Sequence, residues 1–516
     1  MSATPATIPQ LLRSAAETYG DHTAYVQGER RLSFSELHAA VRGVARGLVA
    51  HGLAAGQRVV IWAPNSIEWV VAALAVTYAG GVLVPANSRY TGAEVADLVR
   101  RTGAPIALLE DGFLGRHQIR ELEEAGELEC LQEIIQLSDL AHVARTGEQV
   151  PEADIDARAA AVTADDVADI LFTSGTTGRS KGAMSAHRQT IGVSRAWADL
   201  GGVRRDDRYL VINPFFHSFG YKIGIVVGLL TGCTLYPVAT FDLDATMSLI
   251  SDQRITVLPG APTIYQSILT APRRDQHDLS SLRLAVTGAA VVPVVLIERM
   301  RAPAPEGLGI DQVVTAFGMT EAVVVTMCRD DDSAATVATT CGRAIPGMEL
   351  RIDSPADDGT GELLVRGEHV MLGYLDDPGA TAEAIDGDGW LHTGDVGVLD
   401  EHGNLRITDR LKDMYISGGF NVYPAEVEQA LLRMDGIADV AVVGVPDERM
   451  GEVGKAYVVV SGAGASQARP GPDDVRAFAK ERLANFKVPR HVELVDALPR
   501  NLSGKVLKTR LRETTD

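Results

Sequence analysis

The sequence is poor in cysteine: Cys130, Cys233, Cys328 and Cys341 are the only four in 516 residues, and no two form a C-x-x-C pair. That pattern excludes a cysteine knuckle for metal and a disulfide scaffold, and it fits a reducing cytoplasm. Positive charge is also short. The 48 Lys and Arg face 68 Asp and Glu, for a formal charge of −20. A broad basic surface for nucleic acid is therefore excluded, and anionic substrates must be met by local Arg, Lys and backbone N–H groups. The opening "MSATPATIPQLLRSAAETYG" lacks the charged-then-apolar layout of a secretory leader, so none is expected. Uninterrupted apolar runs are missing too. "WVVAALAVTYAGGVLVPA" at 69–86 is broken by Gly80-Gly81 and Pro85. It reads as a buried helix, a turn and a buried strand, and "IGIVVGLLTGCTLYPV" at 223–238 has the same layout. No stable membrane insertion is expected.

What is present has the texture of a layered α/β protein. The chain exceeds one ordinary core, so two or more domains are expected. Apolar runs at "RVVIWAP", "ADILFTSG", "RYLVINP", "ITVLPG" and "LRLAVTG" read as buried strands separated by helical stretches. Ser35 reads as the cap of the helix in "SELHAAVRGVARGLVAHGL", with Glu36 in its first turn. Turns containing Gly or Pro after such strands suit ligand sites at the strands' carboxyl ends. From about 340 short strands and Asp/Gly turns predominate, as in a small β-rich subdomain. After 414 strands and helices alternate again, and the Gly/Ser/Pro-rich "SGAGASQARPGP" at 461–472 reads as a surface loop.

One stretch concentrates chemistry. Thr173 to Gly182, "TSGTTGRSKG", holds three Thr, two Ser, three Gly, one Arg and one Lys, directly after an apolar strand. Glycines admit positive φ and close backbone approach, successive N–H groups form an anion nest, and Lys181 adds a mobile charge. A polyphosphate is the ligand this suits. The Walker A pattern is different, because there the Lys follows the last Gly directly and a hydroxyl residue comes next. Here Lys181 lies three residues past Gly178 and precedes Gly182.

This stretch resembles the phosphate-binding signature of the adenylate-forming superfamily, and further signatures follow in that family's order. "NPFFHSFG" at 213–220 resembles the acyl-pocket segment, "FGMTEA" at 317–322 the adenine and magnesium motif, and "GWLHTGD" at 389–395 the ribose motif. "ITDRLKDMYISGGFNVYPAEVE" at 407–428 resembles the hinge and its sequel, and "PRNLSGKVLK" at 499–508 the catalytic-lysine motif. The resemblance covers nearly the whole chain and is similar to the acyl-CoA synthetase branch. It implies an α/β fold with a large N-terminal AMP-binding domain, 1–409, of layered α/β subdomains plus a small β-rich subdomain at about 340–409. A hinge at 410–413 would join it to a small mobile α+β C-terminal domain, 414–516.

The implied reaction is carboxylate + ATP + CoA to acyl-CoA + AMP + diphosphate by way of acyl-AMP, with Mg²⁺ on the phosphates. The resemblance assigns Thr173, Ser174, Gly175, Thr176, Thr177, Gly178 and Lys181 to the phosphates, Phe317 to the adenine side, and Asp395 and Arg410 to ribose or phosphate. Asp395 after Gly394 also fits an Asx turn. Thr320 would contact the α-phosphate, and Glu321 with Thr173 would hold Mg²⁺. Lys505 would bridge the acid and the α-phosphate, a flexible ammonium between two anions. As a bare residue it also fits a solvated tail. Lys412 falls at the hinge position, and Gly418 and Gly419 at the backbone that lines the pantetheine tunnel. His217 either shapes the acyl and thiol channel or packs in the core.

The acyl pocket is implied at Phe216, Tyr221, Lys222, Gly288, Ala289 and Phe317. "INPFFHSFGYKIGI", "RITVLPGAPTIYQSIL" and "VATTCGR" resemble an actinobacterial branch of these ligases. That branch includes ligases for the bicyclic methyl-dioxo-octahydroindenyl propanoate left by sterol ring degradation, and the resemblance implies this acid as substrate and a place in steroid and cholesterol metabolism. Tyr221 and Lys222 would meet the ring ketones, or else mark a solvent-facing helix start. A medium-chain fatty or aryl acyl-CoA ligase is the alternative. A non-catalytic nucleotide-binding protein is a third reading, against which Lys505 and Lys412 stand. The chain ends eight residues after "GKVLK", which disfavours a carrier-linked module and favours CoA as acceptor. The sequence leaves a homodimer open, and Lys505 resembles sites that lysine acetyltransferases modify, with loss of its charge.

Overall fold

The computed structural model describes residues 5–516 except 174–179, 289–291, 293, 356–358, 411–412, 418–419, 423, 448–449, 462–468, 484, 501–505 and 514–516; of residues 409, 410, 420 and 421 it describes the backbone alone. The apolar runs of the sequence become the inner strands of two large sheets. In the nine-stranded sheet Thr23–Gln27, Thr234–Pro237, Arg208–Val211, Val257–Pro259, Leu284–Gly288 and Gln312–Met319 lie side by side and parallel. Antiparallel strands close its two edges: Arg30–Ser33 at one, Ala322–Met327 and then Arg343–Ala344 at the other. In the seven-stranded sheet Val167–Phe172, Val82–Pro85, Arg58–Trp62, Ile106–Leu109 and Glu133–Gln136 are parallel. Gly182–Ala186 and Gly373–Tyr374 add to it antiparallel. Helices cover these sheets, which is why the strands are apolar on both faces. The helix Ile67–Tyr78 is buried almost all round between layers, and Gly80 at φ 77° turns the chain into the strand Val82–Pro85.

Residues 348–410 form the β-rich part, a four-stranded antiparallel sheet of Met348–Asp353, Gly361–Gly367, Leu391–Leu399 and Leu405–Arg410. Beyond it lies an α+β unit. Phe420–Val422, Tyr415–Ser417, Gly451–Val460 and Ile437–Asp447 are antiparallel neighbours, with His491–Leu494 added parallel to Gly451–Val460. Its own core packs Val440, Val442 and Val458 against Val427 and Leu431 of the helix Pro424–Leu431 and Val475 of the helix Pro472–Arg482. The fold class is the one expected: a large α/β domain with a β-rich part and a smaller α+β domain.

One local reading changes. The cap of the helix Phe34–Ala50 is Ser33, not Ser35. Ser33 Oγ accepts from the Glu36 N–H at 3.2 Å and the Ser33 N–H donates to Glu36 Oε2 at 2.8 Å, a capping box whose partners must lie three positions apart. The strand Gly182–Ala186 precedes the helix His187–Leu200. "GAMSA" has little strand propensity of its own, so pairing decides its conformation. Gly182 is needed there because a Cβ would stand 2.9 Å from Ile170 Cγ2 on the partner strand.

Candidate active site

The strands Val167–Phe172 and Gly182–Ala186 are an antiparallel pair, a hairpin stem that flanks the hydroxyl-rich stretch on either side. Its neck is closed twice. The Thr173 N–H donates to the Lys181 carbonyl at 2.9 Å, and the Lys181 N–H donates to Thr173 Oγ1 at 3.3 Å. Ser180 Oγ accepts from Arg101 at 3.4 Å, and the Arg101 guanidinium lies 4.7 Å from the centre of the Phe172 ring. Thr173 and Lys181 thus stand across from one another where the hairpin opens. Ser174, Gly175, Thr176, Thr177 and Gly178 lie outside the described residues.

A second hairpin points into the same region. Met319 pairs with Ala322, which leaves Thr320 and Glu321 as a two-residue turn between Gln312–Met319 and Ala322–Met327. Gly318 is required beneath it, because a Cβ would sit 1.9 Å from the Val323 carbonyl. Glu321 is only 8% exposed, and its Oε1 accepts from the Tyr374 hydroxyl at 2.7 Å. The Tyr374 ring in turn lies 4.9 Å from Lys181 Nζ. Burial and the Glu321 carboxylate hold the Tyr374 phenol above the ordinary tyrosine range, so it stays protonated and donates. Lys181 and Glu321, 140 positions apart in the sequence, are joined through Tyr374. Sequence reasoning missed Tyr374; it belongs to the edge strand Gly373–Tyr374, paired with Ala183, and that pairing has no local signal.

Glu321 is the carboxylate that Mg²⁺ would meet here. One carboxylate oxygen is committed to Tyr374, and the other has no hydrogen bond to a described residue. No group of three or more His, Cys, Asp or Glu side chains comes together among the described residues. Mg²⁺ is commonly held by one or two carboxylates plus phosphate and water oxygens, so a single half-committed glutamate beside a phosphate loop fits it.

The acyl side is built on Asn65, another residue that sequence reasoning passed over. Asn65 follows the strand Arg58–Trp62 of one sheet and is buried against the other. Its Nδ2 donates to the Asn213 carbonyl at 3.0 Å, and its Oδ1 accepts from the Phe215 N–H at 2.7 Å. One amide therefore ties the carboxyl ends of both sheets together and fixes the segment that carries Phe216 and His217. Phe215 packs on Trp69 at 5.2 Å between ring centres. Phe216 is half-buried and His217 is exposed to solvent. His217 Nδ1 accepts from the Phe219 N–H at 3.2 Å, which caps the next helical turn. Desolvation by the surrounding protein lowers its pKa below the ordinary histidine value. At the ends of the neighbouring strands Gly288 pairs with Ala316, and the half-buried Phe317 follows.

Tyr221 and Lys222 stand elsewhere than expected. Both are sealed in the core, which excludes a solvent-facing helix start as well as a lining of an open pocket. Tyr221 packs on Trp69, and Lys222 Nζ lies 3.0 Å from Asp169 Oδ1. The reason is the π-helical turn Tyr221–Val226, which turns both side chains into the layer between helix and sheet.

Asp395 is buried on the strand Leu391–Leu399, and the register sets it directly opposite Arg410. Its N–H donates to Thr393 Oγ1 at 3.1 Å, and Gly394 before it takes φ 68°. Ala289, Lys412, Gly418, Gly419 and Lys505, and the side chain of Arg410, lie outside the described residues. All four cysteines are free, and burial pushes the Cys233 and Cys341 thiols up to about 12, where they are inert at neutral pH. Among the described residues no helix is long and apolar enough to cross a membrane.

Known proteins resemble the chain over nearly its whole length. The family model "AMP-binding enzyme" matches residues 12–375, and "AMP-binding enzyme C-terminal domain" matches residues 426–505. The chain is 54% identical to a 7a-methyl-1,5-dioxo-octahydroindenyl-propanoyl:CoA ligase of Rhodococcus jostii, over 99% of each chain. It is 55% identical to the ligase of the same description from Mycobacterium tuberculosis, over 98% of each. The solved structure of ATP-bound MatB from Rhodopseudomonas palustris superposes with a TM-score of 0.85 at 30% identity, over 99% of each chain.

Proposed function

The chain belongs to the AMP-binding enzyme family and is an AMP-forming acid–CoA ligase that works through acyl-AMP, and from that premise we propose that its acid is the bicyclic methyl-dioxo-octahydroindenyl propanoate of sterol ring degradation. The observation that carries the substrate is the near full-length identity to two ligases described for that acid. The ligase chemistry has its support in the meeting of Thr173, Lys181, Tyr374 and Glu321 at the mouth of the loop hairpin.

A carboxylate becomes open to a thiol only when its oxygen is turned into a good leaving group. Attack of that oxygen on the α-phosphate of ATP forms the acyl–phosphate bond and releases diphosphate; the CoA thiol then displaces AMP. The first step is mostly alignment and charge stabilisation. In this reading the loop residues 174–178 and Lys181 hold the phosphates, and Thr320 meets the α-phosphate. Thr173 and Glu321 hold Mg²⁺, which when bound offsets phosphate charge. Asp395 accepts from the ribose hydroxyls beside Arg410, and Phe317 stands at the adenine side. Lys505 bridges the two anions. Tyr374 keeps Glu321 in place and holds Lys181 by its ring face. Phe216, Gly288, Ala289 and Phe317 bound the acyl group, and His217 stands at the solvent-open entrance. The boundary near 410, with Lys412 as pivot, lets the C-terminal domain exchange Lys505 for the Gly418-Gly419 backbone between the two steps. The free thiols suit a reducing cytoplasm, where ATP and CoA are supplied.

The test is a competition with ATP, Mg²⁺ and CoA, reading thioester by mass. The rigid bicycle freezes fewer rotors than a straight chain, so kcat/KM for it should exceed those for octanoate and benzoate at least about tenfold. A win of that size for octanoate or benzoate removes the substrate assignment and leaves the ligase. No thioester from any of the three acids removes the whole set.

A further inference from the structure

The strand that runs into the phosphate loop, Val167–Phe172, has a carboxylate in its buried middle. Asp169 is 0% exposed, and its Oδ1 lies 3.0 Å from the ammonium of Lys222, itself 1% exposed. This is a contact of charges rather than an aligned hydrogen bond. The other carboxylate oxygen, Oδ2, accepts from Thr190 Oγ1 at 2.8 Å. Lys222 Nζ donates to Ser185 Oγ at 2.8 Å, and the Lys222 carbonyl accepts from Ser194 Oγ at 2.8 Å. Taking two charges out of water is costly, and an apolar pair of the same volume is often at least as stable. Stability therefore does not account for the pair, and its position does.

Side chains alternate along a strand, so Asp169, Leu171 and Thr173 share one face of the hairpin. Across from them stand Ser185 and Ala183, paired with Asp169 and Leu171, and then Lys181 at the neck. Lys222 grips the first rung of this ladder on both strands at once. The neck that opens onto the phosphate loop is four residues further along, or about 13 Å. Lys222 also sits in the π-helical turn Tyr221–Val226, which continues the helical turn capped by His217. Such turns are frequent at functional sites because they re-aim side chains within a helix. One ammonium therefore joins both strands of the phosphate hairpin to the segment that carries the acyl-side residues.

We propose that Lys222 is a positioning residue for adenylation: by holding Asp169 and Ser185 it sets the Thr173–Lys181 neck against the His217 turn, and with it the approach of the acid's carboxylate to the bound polyphosphate. The proposal rests on the ligase reading above. Its consequence is an asymmetry between the half-reactions. Thioester formation begins after diphosphate has left, so it no longer depends on the cradle of the outer phosphates.

The test uses the full-length enzyme and any acid it turns over, so that a wrong acid assignment leaves the test intact. The double variant Asp169→Asn/Lys222→Met removes both charges together and leaves no lone buried ion. Ser185→Ala removes only the hydrogen bond to the strand leaving the loop and keeps the ion pair. Acid-dependent ATP–diphosphate exchange is compared with thioester formation from supplied acyl-AMP and CoA, alongside thermal unfolding. In the double variant KM for ATP should rise at least about tenfold, with thioester formation from acyl-AMP within about twofold of the parent. Ser185→Ala should show the same asymmetry at about three- to fivefold, and it decides alone if the double variant does not fold. An ATP KM within about twofold of the parent in every folded variant overturns the proposal, as does an equal fall of both half-reactions. Failure of the parent to make the bicyclic thioester would count against the substrate assignment and not against Lys222.

Discussion

Replacing Tyr221 by Phe deletes one oxygen atom from the core and leaves its shape unchanged. The ring is 0% exposed and tilted on Trp69 at 6.3 Å between centres, and the hydroxyl has no hydrogen-bond partner among the described residues. Burial, with the nearby Asp169 adding to it, holds the phenol far above the ordinary tyrosine range, so the group is a neutral hydroxyl at every working pH. A hydroxyl taken from water without a partner costs about 1–3 kcal/mol, so Tyr221→Phe should stabilise the fold by about 1 kcal/mol. In a chain of this size that is an increase in Tm of about 1–2 °C. No atom of Tyr221 reaches an open pocket, so kcat/KM for the bicyclic keto acid and for octanoate should shift by the same factor, within about twofold. Thermal unfolding at one fixed scan rate reads the first effect, and parallel kinetics on one preparation read the second. A loss of stability of about 1 kcal/mol or more would show that the hydroxyl has a partner. A tenfold loss confined to the keto acid would refute the reasoning altogether and return Tyr221 to the ketone-facing role that its sequence context suggests.

The remaining expectations address the two steps and the pH response. Lys505→Ala should abolish acyl-AMP formation and spare thioester formation from supplied acyl-AMP, since only the first step brings two anions together; equal loss in both, with folding intact, would remove that role. Lys412→Pro should do the reverse, because a fixed φ restricts the hinge, and an unchanged overall rate would show that position 412 does not pivot. His187, 1% exposed with Nδ1 accepting from the Ile8 N–H at 3.2 Å, is held down to about 4 by burial. A histidine lowered in the fold is charged only in the unfolded chain between its ordinary value and about 4, so its neutral burial costs stability progressively as pH falls through that window. At pH 5 the loss from this one residue is about 2 kcal/mol relative to pH 7.5. His187→Gln should flatten the fall in Tm between those two pH values, and an unchanged slope would locate the acid sensitivity elsewhere.

Much of the fold was legible because it rests on local chemistry. Buried parallel strands need continuous apolar runs, so "RVVIW", "ILF" and "LAV" announced themselves, and Gly80 marked the turn out of an apolar helix. A phosphate loop needs glycine, hydroxyls and lysine in one short stretch, which is why Thr173 to Gly182 stood out, whereas Thr320 and Glu321 were marked by the family motif and their two-residue turn came from the strand pairing. What lay hidden depends on partners far along the chain. Tyr374 acquires its place from an edge pairing with Ala183, and Asn65 from carbonyls some 150 positions away.

The sequence by itself determined the class of chemistry this protein carries: residue types suited to phosphate, the apolar strands around them, and a family order of motifs from Thr173 to Lys508. Only the tertiary structure decided which polar residues face a ligand and which face one another. Lys222 next to His217 and Phe216 looks like part of a pocket wall when read along the chain. A π-helical turn and a carboxylate 53 positions earlier, in a strand that periodicity marks only as apolar, make it the buried partner of Asp169 instead. The reason is physical: an ammonium shut away from water must be paired, and the position of its partner is a property of packing that no local pattern of residues encodes.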